Sequence, residues 1–215
     1  MWDVDDFIYK RYEVLRDKHN FTPNKILDVG AWFGDWSKTI KSIYPEAEVL
    51  SVEANPNCTP RLSRVNPNYL ISFLGKEQGE TEFYINIANP HCTGASAYLE
   101  QTKHYKNAVS IKLPIVPLDS LNQQFDFIKM DVQGAELDVI KGGLNTIQQA
   151  SVLQLELGML NYNEGAPKAS EIISYLYNLG FDLFDVGSFY YWDNKLNQSD
   201  MFFVNKEKFN IRITK

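Results

Sequence analysis

The strongest constraint on the fold is an alternation of strand-like and helix-like segments along most of the chain. Apolar runs at 25–30, 48–53, 69–74, 125–131 and 151–157 read as strands. Between them, 35–44, 56–65, 135–141 and 167–179 suit helices. Trp36, Ile40, Ile43 and Tyr44 recur at helical spacing in the first, and Ile172, Ile173, Leu176 and Leu179 in the last. Pro45 stops the former and Gly180 the latter. Such alternation implies a mostly parallel sheet covered on both faces. A further helix over 3–18 precedes it, with Val4, Phe7, Ile8, Tyr12 and Leu15 in its repeat. Segments 181–186 and 201–204 close the chain as two strands joined by an aromatic, polar hairpin at 190–199. With no helix between them they must pair antiparallel. The expected fold is therefore α/β and doubly wound, with an antiparallel closing strand.

One region breaks the alternation. Residues 80–87 place Phe83, Ile85 and Ile87 on one face, and 109–115 do the same with Val109, Ile111, Leu113 and Ile115. Both read as inserted, half-buried strands. Between them, 89–107 is polar and rich in small residues, as a mobile loop or lid would be. With no internal repeat, the 215 residues are expected to form one domain, with an insertion at 80–117.

Composition narrows the function. A formal net charge of −6 gives no support for binding a phosphate backbone, so no nucleic-acid partner is expected. Cys58 and Cys92 form neither a CxxC pair nor a metal spacing, which fits free thiols in a reducing cytosol. The N-terminus is unlike a signal peptide, and no apolar run is long enough to span a bilayer. A soluble, cytoplasmic protein is expected. Its oligomeric state is open.

Chemistry concentrates where the first strand turns into a helix, at 28–34 (DVGAWFG). Gly30 permits a tight turn and Gly34 a close backbone approach at the helix start, whose N–H groups are unpaired. The plain alternative is a tight connection without a ligand. The pattern D-x-G-x-x-x-G differs from G-x-G-x-x-G and favours a nucleoside carrying an amino acid over a pyrophosphate. Glu53 ends the next strand, at the offset where an acid accepts hydrogen bonds from ribose hydroxyls. Its alternative is a solvated strand-end carboxylate.

Segments 28–37 (DVGAWFGDWS), 53–56 (EANP), 90–96 (PHCTGAS) and above all 125–143 (FDFIKMDVQGAELDVIKGG) resemble the FkbM family of S-adenosylmethionine-dependent methyltransferases. The resemblance runs from about Ile26 to Val204. It implies a class I methyltransferase (Rossmann-like) fold, S-adenosyl-L-methionine as cofactor, and O-methylation of a sugar, glycan or polyketide-like small molecule. Carried over by position, the cofactor-binding set is Asp28, Gly30, Ala31, Trp32, Gly34, Glu53, Ala54, Gly75 and Asp131. Gly75 falls at the turn after the third strand, near the adenine end. Lys76 departs from the acid the family often has there.

Methyl transfer to a hydroxyl is an in-line displacement by a weak nucleophile, so a base or a metal should help remove its proton. Asp131, at the end of its strand, is the first candidate, with Glu156 at the end of the neighbouring strand and His91 in the PHCTGAS match. Capping of the helix at Ala135 is the alternative for Asp131, and an ordinary surface position that for His91. Asp131, Glu136 and Glu156 could also hold a divalent cation such as Mg²⁺ through oxygen ligands. Otherwise Glu136 and Glu156 are solvated or salt-bridged carboxylates. Tyr190, Tyr191 and Trp192 form either a wall for a sugar ring or plain hairpin packing. Rival readings are a methyltransferase for another acceptor, a nucleic acid or a lipid-linked glycan, and a non-catalytic module that only binds the cofactor.

Overall fold

The computed structural model describes residues 6–210. Helix α1 (Asp6–Glu13) runs into a π-helical turn at Val14–Lys18, and positions 3–5 of the expected helix lie outside the described residues. Then come β1 (Lys25–Val29), α2 (Asp35–Ile43), β2 (Glu48–Glu53), α3 (Thr59–Val65), β3 (Tyr69–Ile71) and β4 (Phe73–Gly75). Next are β5 (Gly79–Asn86), β6 (Ala108–Pro117), β7 (Phe127–Met130), α4 (Glu136–Lys141) and α5 (Leu144–Gln149). The chain ends with β8 (Val152–Gly158), α6 (Ala169–Asn178), β9 (Phe181–Trp192) and β10 (Lys195–Asn205).

Seven strands form one sheet in the order β3-β2-β1-β7-β8-β10-β9. Pairing is parallel from β3 through β8, while β10 is antiparallel to both β8 and β9. The antiparallel strand thus sits one place in from the edge. Period-two alternation sends Ile26, Phe127 and Val152 to one face and Leu27, Ile128 and Leu153 to the other. The first face packs against Ile8, Tyr12, Leu15, Ile40 and Ile43 of α1, the π turn and α2. The second packs against Leu137, Ile140, Ile147, Ile172 and Leu176 of α4, α5 and α6. Phe7, placed in the expected apolar repeat of α1, is instead 39% exposed. Tyr12 is fully buried with its hydroxyl satisfied twice: it donates to Gln154 Oε1 at 2.8 Å and accepts from Trp36 Nε1 at 2.7 Å.

Three local expectations are corrected. The strand expected over 69–74 breaks at Ser72, whose N–H still reaches Glu53 O at 2.8 Å. Beyond it the chain leaves the main sheet, and β4 joins a second sheet in the order β4-β6-β5, with β5 and β6 antiparallel. A separate helix, α5, comes after the Gly142-Gly143 stop. The closing hairpin has no long loop: β9 and β10 run on until only Asp193 and Asn194 separate them, at φ 48° and 58°. Two successive left-handed residues are what a type I′ hairpin turn requires. Tyr190, Tyr191 and Trp192 are therefore strand residues. Among the described residues, no helix is long and apolar enough to cross a membrane.

Candidate active site

The order of the main sheet reverses between β1 and β7, and in such sheets a crevice opens beyond the carboxyl ends of the strands at that point. The two strands leave it in close contact. A side chain on Gly30 would bring its Cβ to 1.8 Å from the backbone oxygen of Asp131, and Gly30 has φ +78°. Only glycine fits there. The N–H groups of Gly30 and Ala31 both reach Val52 O, at 2.9 and 3.0 Å, which ties the turn to β2. Trp32 is also left-handed, at φ 49°, a conformation costly for a bulky residue.

Glu53, at the end of β2, is the brace for that turn. One carboxylate oxygen accepts Trp32 N–H and the other Asn55 N–H, both at 2.7 Å. Burial raises its pKa, against the pull of these two N–H donors. The side chains of the same two residues reach the inserted segment: Trp32 Nε1 donates to His91 O and Asn55 Nδ2 to Pro90 O, each at 2.8 Å. The segment at 89–107 is thereby packed against the cleft, with Ser96, Glu100 and Tyr105 buried.

Ala31, Trp32, Glu53, Ala54, Ser72, Phe73, Leu74, Phe83, Cys92 and Asp131 line a cleft that is open at its mouth. A second cavity adjoins it, lined by Glu100, Glu156, Tyr162, Tyr190, Tyr191, Trp192, Asn197 and Gln198. Trp32, Thr93, Asp131 and Gln133 line both, so the two spaces meet there.

Asp131 and Glu156 converge at this junction. Gln133 Nε2 donates to Asp131 Oδ1 at 2.7 Å and to Glu156 Oε2 at 2.8 Å; Gln198 Nε2 adds a third bond, to Glu156 Oε2, at 3.0 Å. Burial, then the charges of Asp131 and Asp200, push the Glu156 carboxyl well above its ordinary value. Behind the junction lies Lys129, with 7% of its side chain exposed. Its Nζ is 3.4 Å from both Asp28 Oδ1 and Asp131 Oδ2, and donates to Gly30 O at 3.3 Å. Burial alone would lower the Lys129 ammonium; the carboxylates of Asp131 and Asp28 outweigh it and raise it.

The other expected site residues fall elsewhere. Asp28 is fully buried beneath the cleft, accepting from Ser37 Oγ at 2.6 Å. Gly34 does not line the cleft; its φ is +84°, and a Cβ there would press on Leu62 and Val65. Gly75 is in the second sheet, packed against Gly142, and the cleft residues of this stretch are instead Ser72, Phe73 and Leu74 just before it. His91 is exposed, its ring 5.5 Å from that of Phe33, and it lines neither cavity. Asp131 does not cap the helix at Ala135. Glu136 instead braces the turn before that helix: its carboxylate accepts Val132 N–H at 3.0 Å and Gly134 N–H at 3.1 Å, and burial pushes its pKa up to about 7.

Among the described residues, no group of three or more His, Cys, Asp or Glu is arranged to hold a metal ion. The Gln133 amide joins the two carboxylates of the junction. Sequence reasoning misses Gln133 and Lys129. Both lie inside the 125–143 stretch, and a lysine and a glutamine flanking a strand-end acid are the available signal.

A family model described as a methyltransferase FkbM domain matches residues 28–183. The structure resembles a methyltransferase FkbM from Methylobacillus flagellatus KT, at TM-score 0.54 and 14% identity over 89% of this chain and 47% of that one. This chain thus spans about half the length of that relative. It also resembles magnesium protoporphyrin IX methyltransferase from Synechocystis PCC 6803 with bound S-adenosylmethionine, at TM-score 0.54 and 11% identity over 92% of this chain and 77% of that one. Aeropyrum pernix fibrillarin with natively bound S-adenosyl-L-methionine gives a TM-score of 0.52 and 12% identity over 92% of this chain and 73% of that one. A search of curated proteins found no match. At these identities the structures establish the class I methyltransferase fold.

Proposed function

Because the chain belongs to the methyltransferase FkbM family, we propose that it methylates a hydroxyl of a sugar, glycan or polyketide-like small molecule, using S-adenosylmethionine, in the cytoplasm. The observation that carries this is the meeting of two cavities at Asp131 and Gln133. Chemically, the first cleft suits the cofactor. Phe73, Leu74, Phe83 and Ala54 offer apolar surface for a purine, and Glu53 a buried carboxylate whose oxygens keep lone pairs for a ribose diol. When bound, the cofactor supplies an electrophilic methyl group on a sulfonium.

The chain's own residues then do the rest. The second cavity holds the acceptor ring between Tyr190, Tyr191 and Trp192 and the amides of Asn197 and Gln198. Asp131 takes the proton of the acceptor hydroxyl. Lys129 pairs with that carboxylate at 3.4 Å, and Gln133 fixes its direction. Glu156, held by the Gln133 and Gln198 amides, hydrogen-bonds a neighbouring hydroxyl. No step requires a metal. Calorimetry with S-adenosylmethionine, then methyl-transfer assays over a glycoside panel, tests the proposal. Absence of cofactor binding, or equal affinity for NAD, overturns it.

A further inference from the structure

We infer that the acceptor cavity admits rings without acidic groups, and that an amine-bearing ring fits it best. This rests on the methyltransferase reading, which makes the cavity a site, and concerns the charge selectivity of that site alone. Among the described residues lining the cavity there are three carboxylates, Glu100, Asp131 and Glu156, and no Lys, Arg or His. The remaining polar side chains are neutral: amides, phenols, indoles and the Thr93 hydroxyl. The nearest cation, Lys129, lies behind Asp131 and is already matched by Asp131 and Asp28, with 7% of its side chain exposed. It has no capacity left for a ligand anion.

A phosphate or carboxylate on the acceptor would lose its hydration, gain no counter-charge and face like charges. An ammonium would meet the opposite situation. The Glu156 carboxyl lies beside that of Asp131 and takes both of its amide donors on Oε2, and Glu100 accepts the Thr102 hydroxyl, so the carboxylates meet neutral donors or one another and no cation of the cavity wall. The faces of Tyr190, Tyr191 and Trp192, 45%, 67% and 48% exposed, complete a lining that favours a cation over an anion.

The test uses the full chain saturated with S-adenosylhomocysteine and three matched probes: methyl glucopyranoside, its 2-amino-2-deoxy analogue and its uronate, titrated by ligand-detected NMR at low salt. The amine should bind at least about ten-fold more tightly than the uronate, with the neutral ring between them. Glu156→Gln and Glu100→Gln should each shrink that ratio and leave affinity for S-adenosylhomocysteine unchanged. A uronate that binds as well as the amine overturns the inference. So does a ratio unmoved in both variants, or binding of none of the probes by a protein that holds S-adenosylhomocysteine. Failure to bind S-adenosylhomocysteine at all would instead overturn the methyltransferase reading.

Discussion

Lys129→Met should expose how the floor of the cleft is held together. Methionine keeps the apolar stem, one atom shorter, but removes the charge that sits 3.4 Å from both Asp28 and Asp131. The Asp131 side chain is 32% exposed and can turn to solvent, so its share of the loss is small. Asp28 is fully buried and would keep only the Ser37 hydroxyl. Removing one partner of a buried pair costs about 3–5 kcal/mol. For a domain of this size that lowers the melting temperature by roughly 6–20 °C. Urea titration of the full chain reads the change without an acceptor. The sign with pH is also set. Asp28 is already raised by burial, partly offset by Lys129, and losing Lys129 raises it further. An acid raised in the folded state contributes stability in its protonated form, which is lost as pH climbs through the folded pKa. The variant's deficit should therefore grow from acid toward neutral pH. Asp28→Asn added to Lys129→Met should recover most of the loss. A single variant less than about 1 kcal/mol destabilised, or a double variant no better than the single, refutes the reasoning.

Glu53→Ala should weaken S-adenosylmethionine binding by about 1.5–3 kcal/mol in calorimetry, as for hydrogen bonds to a charged group. It should also cost stability, because the Trp32 and Asn55 N–H groups lose their acceptor. Asp131→Asn should lower methyl transfer about 10²-fold or more while leaving cofactor affinity near wild type, and EDTA should leave the wild-type rate unchanged. A wild-type rate in Asp131→Asn would remove its catalytic role. Amides of 89–107 should gain protection from hydrogen exchange when cofactor and acceptor are added; equal protection free and bound counts against closure.

Much of the main sheet is legible in the sequence because period-two and period-3.6 patterns survive wherever an element has one buried face. The misreadings come from places where local pattern has no say. Residues 69–74 are one apolar run, yet Ser72 divides them between two sheets, since Phe73 finds its partner in Ile115, far along the chain. The polar alternation of 190–199 looks like a loop because the outer part of β9 is exposed on both sides. At the site, the strand-end acids can be named, but not what they touch. Glu53 reads as a ribose ligand, and its backbone contacts with Trp32 and Asn55 depend on a turn whose shape only the fold sets. Glu136 looks like a surface acid, yet the chain folds back so that its carboxylate accepts the N–H groups of Val132 and Gly134 in the turn before the helix.

The two motifs that look separate in the sequence are one mechanical unit in the structure. The glycine turn after β1 and the acid after β7 meet where Gly30 leaves no room for a side chain against Asp131 O. Lys129 reaches across both, binding Gly30 O and the Asp131 carboxylate with the same ammonium. Ser96, from the inserted segment, donates to Gln133 O at 2.8 Å and so helps hold Gln133 in its left-handed conformation at φ 54°. Gln133 in turn ties Asp131 to Glu156 on β8. A shift of the glycine turn must therefore move the acid at the junction, and a shift of the inserted segment must move the amide that bonds it. The first cleft, the insertion and the second cavity can be distinguished by what they line, but not displaced independently.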